Sequence, residues 1–119
     1  DFQNAVWDHL VDCGMDTIAY LPDPESSSMM TNVVRSHSRY TVATAKTLSS
    51  QQILRYDKYD KSNDLAATKF LLSSLDPALM SKIKEKMDDD DSFHVVWLQL
   101  IKTIQSTSIE RFEDLKAAI

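Results

Sequence analysis

The strongest amphipathic pattern in the chain lies in residues 93–104, which read FHVVWLQLIKTI. Apolar side chains recur there at the three- and four-residue spacing of one helix face, at Phe93, Val96, Trp97, Leu100, Ile101 and Ile104. This spacing predicts a helix that faces the core. A stripe centred on tryptophan also occurs at interaction surfaces, where tryptophan is enriched. Burial is the more frequent outcome, and we expect Trp97 to be a core residue.

Working outward from this segment, the pattern predicts six to seven short helices. Their ranges are 2–13, 25–37, 41–59, 64–75, 77–87, 93–104 and 107–119. Gly14 is placed to end the first helix in a left-handed conformation. Asp76 and Pro77 form a cap followed by a proline in the first helical position. Thr107 and Glu110 have the spacing of a capping box, which predicts a tight corner before the last helix.

Glycine is rare, since the 119 residues contain only Gly14. Average usage of roughly 7% would give about eight glycines. Glycine supplies the positive φ angles of hairpin turns and phosphate-binding loops. The composition therefore argues against a β-sandwich, a Rossmann unit and a Walker loop. We expect an all-α, compact bundle in one domain that spans residues 1–119.

The charge balance, the hydropathy and the single cysteine narrow the classes of function that the chain can have. Thirteen Lys and Arg against 18 Asp and Glu give a net charge of −5, which by itself should repel nucleic acid and anionic membranes. No apolar run approaches the roughly 20 residues of a membrane span. A lone Cys13 excludes an internal disulfide and fits a reducing compartment. Because the chain begins with Asp1 rather than Met, we expect it to be part of a longer protein.

Two groups of residues have some of the features of a metal or catalytic site. His9 and Cys13 share one helix face, but a zinc site needs a third and usually a fourth ligand, and a Cys/His nucleophile needs an orienting group from another element. The acidic run 88–91 lacks the alternate spacing and the glycine of a calcium loop. Its expected role is electrostatic, at the start of the next helix. We therefore predict no catalytic residue, no cofactor, no metal and no small-molecule substrate.

Basic residues gather in one part of the chain without an intervening acid. Arg35, Arg39 and Lys46, with Tyr40 among them, form the one local candidate for a weak phosphate contact. A solvated connection between helices is the more common explanation of such a stretch. A direct nucleic-acid role would predict strongly salt-dependent retention on DNA or RNA, and we expect none.

The second half of the chain carries six features in a fixed order. They are Tyr56-x2-Tyr59-Asp60, Asn63-Asp64-x2-Ala67, Phe70-Leu71-Leu72-Ser73-Ser74-Leu75-Asp76, a short helix with Leu79 and Ile83, Phe93-x3-Trp97-x2-Leu100, and Ser106-x4-Arg111-Phe112-x2-Leu115. This order resembles the capsid-like region of the Gag polyprotein of copia-type LTR retrotransposons. The resemblance covers roughly residues 56–119. The family often has Trp at the position of Tyr56 or Tyr59, and its CCHC zinc knuckle is absent from this chain.

The resemblance implies a retroviral-capsid-like fold, with a second capsid subdomain starting at about residue 107. It places Ala67, Leu75, Trp97, Leu100 and Leu115 in the core, and Arg111 outside it. It implies a structural protein that associates with copies of itself into an intracellular, cytoplasmic particle. RNA would be held only indirectly, through segments outside this chain, and no membrane is involved.

A helical adaptor that binds another protein is the alternative, with Met29, Met30 and Met87 as adaptable apolar surface. One deep groove would favour the adaptor, whereas several small apolar patches would favour a lattice of copies.

Overall fold

A computed structural model describes the backbone of residues 2–118 and the side chains of residues 2–105. Its longer elements are α1 (Phe2–Asp12), β1 (Tyr20–Asp23), β2 (Ser26–Asn32), α2 (Val42–Ile53), α3 (Lys58–Ser73), α4 (Pro77–Lys86) and α5 (Phe93–Ala118). Short 3-10 turns at Asp16–Ala19 and His37–Arg39 lie before β1 and α2. The protein is thus mostly helical, with one small antiparallel sheet.

The β1–β2 hairpin corrects the predicted helix over 25–37, and it adds a small sheet to the predicted all-α bundle. Tyr20 is opposite Asn32 and Pro22 is opposite Met30, with a register shift after Pro22. The β2 segment reads SSSMMTN, and Ser, Thr and Asn are weak helix formers. The Asp23 carboxylate fixes the turn by accepting from the Glu25 N–H at 2.9 Å and the Thr31 hydroxyl at 3.0 Å.

Helix α5 corrects the prediction of a corner near Thr107. One continuous helix runs from Phe93 to Ala118 where two were expected. The sequence has neither glycine nor proline between these residues, so nothing in its backbone chemistry ends the helix. The side chains of Thr107 and Glu110 lie outside the described residues.

Several helix boundaries follow local chemistry. Gly14 adopts φ 70° after α1, as predicted. The Asp76 side chain accepts from the Leu79 N–H at 2.9 Å with Pro77 behind it, which confirms the predicted start of α4. The predicted helix over 41–59 was wrong in extent, because Asp57 forms a capping box and starts α3 six residues earlier than predicted.

The core surrounds the first half of α5. Every residue from Ser92 to Leu98 is buried, so this part of the helix is covered on all sides. Helices α2, α3 and α4 all contact α5. The hairpin joins the same core through Leu21, and the segment after it through Val33 and Val34, all fully buried. A helix expected to be amphipathic is therefore central, because the hairpin and the segment after it help to cover it.

Candidate functional site

An acidic pocket lies between α2 and the loop before α5. Carboxylate oxygens of Asp88, Asp90 and Asp91 lie within 4.8 Å of one another. They line a cavity of about 150 Å³ together with Lys46, Ser49, Ser50, Ile53, Ser92 and Val95. The Lys46 ammonium lies 3.0 Å from an Asp88 oxygen and 3.9 Å from an Asp91 oxygen. The pocket thus holds its own counter-ion.

The aspartates of the pocket stabilise the charged form of Lys46. The hydrogen bond from Lys46 to Asp88, followed by the charge of Asp91, raises the pKa of Lys46. Lys46 is therefore fully charged at neutral pH and neutralises part of the carboxylate charge. Among residues 2–105, these aspartates are the one group of three or more His, Cys, Asp or Glu that could hold a metal ion.

The acid that contacts the start of α5 does not belong to the run 88–91. Asp64, on α3, accepts a 2.9 Å hydrogen bond from the Phe93 N–H. Asp91 instead accepts from the Asp88 N–H at 2.9 Å, within the loop. Burial raises the pKa of Asp64, although the bond from Phe93 opposes this rise. The acids before α5 gave no indication of this hydrogen bond, because Asp64 is 29 positions away.

A buried polar cluster lies beneath the pocket. The Ser49 and Ser92 hydroxyls share a hydrogen bond, and Nδ1 of His94 lies 3.2 Å from the Ser92 oxygen. Nε2 of His94 lies 3.2 Å from the carbonyl oxygen of Tyr20, so Nε2 carries the proton and Nδ1 accepts. Burial lowers the pKa of His94 to about 4. The imidazole is therefore neutral at neutral pH and ties β1, α2 and α5 together.

This cluster was not predicted as a unit. A serine beside a histidine is part of a hydrolase site, but here the third group is a main-chain carbonyl and His94 has no exposed surface. A base with a pKa near 4 is also a weak proton acceptor at neutral pH. The arrangement is suited to fixing elements in place. In the sequence, only Ser92 and His94 are close together, two positions apart.

His9 and Cys13 do come together, as their spacing predicts. The Cys13 Sγ atom lies 3.6 Å from Nε2 of His9, and Cys13 is exposed. The His9 ring stacks on Phe70 with 3.6 Å between ring centroids. His94 belongs to the buried cluster, so it does not join this pair. His37 lies in a 3-10 turn, where burial and then the charge of Lys102 lower its pKa.

The three basic residues of the phosphate-contact hypothesis are each engaged elsewhere. Arg39 binds the Asp23 carboxylate through two hydrogen bonds of 2.7 and 2.9 Å. Lys46 lies in the acidic pocket. Arg35 donates to the Asn4 side chain at 3.2 Å, and its guanidinium lies 5.8 Å from the centroid of the Trp7 ring. Each of the three basic side chains thus has its own partner, and the three do not converge on a common phosphate site.

The ion pair of Asp23 and Arg39 was not predicted from the sequence. Asp23 is only 5% exposed, and the hydrogen bond from Arg39 holds its pKa well below its usual range. Its position between Pro22 and Pro24 is a turn signal that could have identified the acid. Nothing in the sequence indicated that Arg39, 16 positions away, would pair with it.

The residues that carry the family resemblance lie where core residues are expected. Ala67, Trp97 and Leu100 have no exposed surface, and Leu75 is partly buried against the same cluster. Leu115 and Arg111 fall outside the residues whose side chains are described.

Large exposed apolar side chains are distributed over several elements. They are Phe2 and Val11 on α1, Met29 and Met30 on β2, Leu54 after α2, Tyr59 and Leu65 on α3, and Ile104 on α5. Leu54 is the most exposed, at 86%. A second cavity, of about 110 Å³, is lined by Pro22, Ser27, Leu48, Gln51, Gln52 and Arg55. Neither of these two cavities contains any of the exposed apolar residues.

Comparisons with protein-family profiles, curated proteins and solved structures give no match. Within the described residues, no helix combines the length and apolar character needed to cross a bilayer.

Proposed function

We propose that this chain is a capsid-like Gag domain of a copia-type LTR retrotransposon. Its role is structural and non-enzymatic: copies associate into a cytoplasmic particle shell around the RNA of the element. The proposal starts from the motif order over residues 56–119. The single observation of the structure that supports it is the spread of exposed apolar side chains over α1, β2, the residue after α2, α3 and α5.

That spread suits a shell subunit, because each copy in a shell must contact several others through separate surfaces. Such contacts are individually small, and they act together once many copies are linked. Leu54 at 86% exposure and Tyr59 at 67% lie near the junction of α2 and α3, while Val11 at 47% lies on α1. Neither of the two cavities described above is lined by any of these three residues.

An adaptor would present one apolar groove to one partner helix or peptide. The three methionines that suggested an adaptable surface do not all lie on one element. Met29 and Met30 are exposed on β2, whereas Met87 follows α4 and is partly buried against the core. This distribution favours the lattice over the adaptor.

RNA would be bound through segments outside this chain. Arg35, Arg39 and Lys46 already have partners within the protein, and the net charge is −5. We therefore expect no salt-dependent retention of this chain on RNA, since phosphate binding depends on free cations.

Light scattering from micromolar to millimolar protein tests the proposal, with electron microscopy of the concentrated samples. The expected result is a mass that rises with concentration, followed by regular assemblies. Leu54→Asp should weaken this association without changing the melting temperature, because the side chain has little contact to lose. Gln51→Asp adds the same charge at an exposed position of α2 without removing an apolar group.

A mass that stays monomeric over the whole range and at all salt concentrations contradicts the proposal. Equal weakening by Leu54→Asp and Gln51→Asp would show that added charge alone acts, and would remove Leu54 from the contact surface. Saturable binding of one foreign peptide by a chain that remains monomeric would support the adaptor instead.

A further inference from the structure

The two edges of the hairpin differ in how they are covered. On β1, the Tyr20 carbonyl lies 3.2 Å from Nε2 of His94, and the Tyr40 hydroxyl lies 3.2 Å from the carbonyl oxygens of Leu21 and Pro22. Helix α2 also packs against this strand. The outer edge of β2 has no such cover, since residues 27–30 are all exposed.

The hydrogen-bond pattern of the hairpin shows which groups of β2 point outward. The Val33 N–H donates to the Ala19 carbonyl at 2.8 Å, so these two residues form a hydrogen-bonded pair. Pairs alternate along an antiparallel ladder, which makes Pro22 and Met30 a non-hydrogen-bonded pair. The N–H and C=O of Met30 therefore point away from β1. Within the described residues, no hydrogen-bond partner faces them.

Strand β2 also lacks the features that usually protect an open edge. Proteins place lysine, proline or inward-pointing charges on exposed edge strands. Residues 26–32 contain no charged residue and no proline. Met29 and Met30 are 60% and 49% exposed, so both faces of the strand present apolar surface at its middle.

We propose that β2 pairs with β2 of a second copy of this chain, antiparallel and about a two-fold axis at Met30. This inference rests on the proposed function, because it assigns one of the surfaces through which copies associate. The outward N–H and C=O of one Met30 would bond to those of the other. The two hairpins would then form a continuous four-stranded sheet, with the two Met30 side chains adjacent across the axis.

The charges that flank β2 identify a second copy as the occupant and select this register. Glu25 lies five residues before Met30 and Arg35 five residues after it. A two-fold axis at Met30 therefore places Glu25 of one copy and Arg35 of the other at the same end of the paired strands, twice per pair, with both residues in the turns that flank β2. Both residues are exposed, and so are their partners within the chain, Arg39 at 3.7 Å from Glu25 and Asn4 at 3.2 Å from Arg35. Pairing between copies would therefore exchange one surface contact for another. Such isologous pairing of an acidic end with a basic end offsets the repulsion between two chains that each carry −5.

The size of the surface fits a weak contact. A strand of seven residues covers far less than the roughly 800 Å² per partner of a standard stable interface. The pair should therefore form only at high concentration, or when other surfaces hold copies together.

Sedimentation analysis across protein concentration tests the inference through Met30→Pro. Proline removes the outward N–H of Met30, which serves no bond within the hairpin, and it is tolerated on edge strands. The expected result is association weakened roughly tenfold or more, since both central hydrogen bonds of the pair are lost. Met30→Ser is the matched control, because it keeps the N–H and removes only the side chain.

A charge exchange tests the register. Glu25→Arg should weaken association by placing like charges opposite each other, and adding Arg35→Glu should restore it. Glu85→Arg makes the same charge change on an exposed part of α4 and should not be rescued by Arg35→Glu. Melting curves verify that each variant is folded.

The outcomes separate the two proposals. If Met30→Pro associates as the unchanged chain does, the edge-strand contact is wrong, while self-association through other surfaces stands. If the double exchange fails to restore association, the register about Met30 is wrong. If the unchanged chain stays monomeric throughout, both the contact and the proposed function are overturned.

Discussion

The indole Nε1–H of Trp97 donates a 3.0 Å hydrogen bond to the main-chain carbonyl of Val33. Both residues are fully buried. The bond joins the second turn of α5 to the residue that follows β2, two parts of the chain that are 64 residues apart. It therefore connects residues 93–104, which were correctly predicted as a helix, with residues 25–37, which were wrongly predicted as one.

Trp97→Phe should destabilise the protein. Phenylalanine fills most of the space but leaves the buried Val33 carbonyl without a donor, which costs about 1–3 kcal/mol. Urea unfolding should show the loss with an unchanged m value. Trp7→Phe is the control, because Trp7 is half-buried and packs edge-on against Tyr20. Equal losses in the two variants would show that ring size, and not the hydrogen bond, is responsible.

Acid should destabilise the protein through His94. Its pKa is about 4 in the folded chain against an ordinary 6.5, so the fold favours the neutral ring. This contribution is complete above pH 6.5 and is lost as the pH falls toward 4, by on the order of 3 kcal/mol. Unfolding free energies measured from pH 8 to 4 should show this fall. Burial lowers the pKa of His37 as well, which adds a smaller change of the same sign.

His94→Gln should flatten most of that pH dependence, because glutamine can donate to the Tyr20 carbonyl but does not titrate in this range. A slope that survives in His94→Gln would assign the acid sensitivity to other groups.

Gly14→Ala should cost about 1–2 kcal/mol of unfolding free energy. Gly14 has φ 70°, and an added Cβ would meet no atom within 4 Å, so the cost arises from the backbone conformation alone. Asparagine accepts this conformation more readily, so Gly14→Asn should lose less. Thermal denaturation of the two variants checks the order, and alanine as well tolerated as asparagine would contradict the backbone argument.

Asp64→Ala should lower stability by about 1–3 kcal/mol, since it leaves the buried Phe93 N–H without an acceptor. Asp89→Ala removes an exposed acid from the run before α5 and should change stability by less than about 0.5 kcal/mol. Chemical denaturation of both variants distinguishes the two roles. If Asp89→Ala lost more unfolding free energy than Asp64→Ala, the acidic run and not Asp64 would be the group that stabilises the start of α5.

The sequence determined the parts of the fold that depend on neighbours along the chain. The apolar spacing of residues 93–104 identified the core helix, and Gly14, Asp76 and Pro77 marked helix ends. Each of these signals acts within about one or two helical turns. The backbone chemistry that produces them is therefore complete in the local sequence.

Only the tertiary structure decided the hairpin. Met29, Met30, Val33 and Val34 have helical spacing, and this pattern led to the incorrect helix. Pairing of β2 with β1 and the carboxylate of Asp23 favour the strand instead. Strand pairing depends on which residues meet across the turn, and hydrophobic periodicity within one segment does not contain that information.

The candidate site shows the same division. Histidine, serine, lysine and the aspartates could each be recognised as polar residues, but their partners lie far along the chain. Lys46 pairs with Asp88 over 42 positions, and Ser49 meets His94 over 45. Packing of α2 against α5 creates both contacts. The sequence alone determined which residues are charged and where most of the helices form. Which charges neutralise one another was decided by the tertiary structure, because the distances between charged groups depend on how the helices pack.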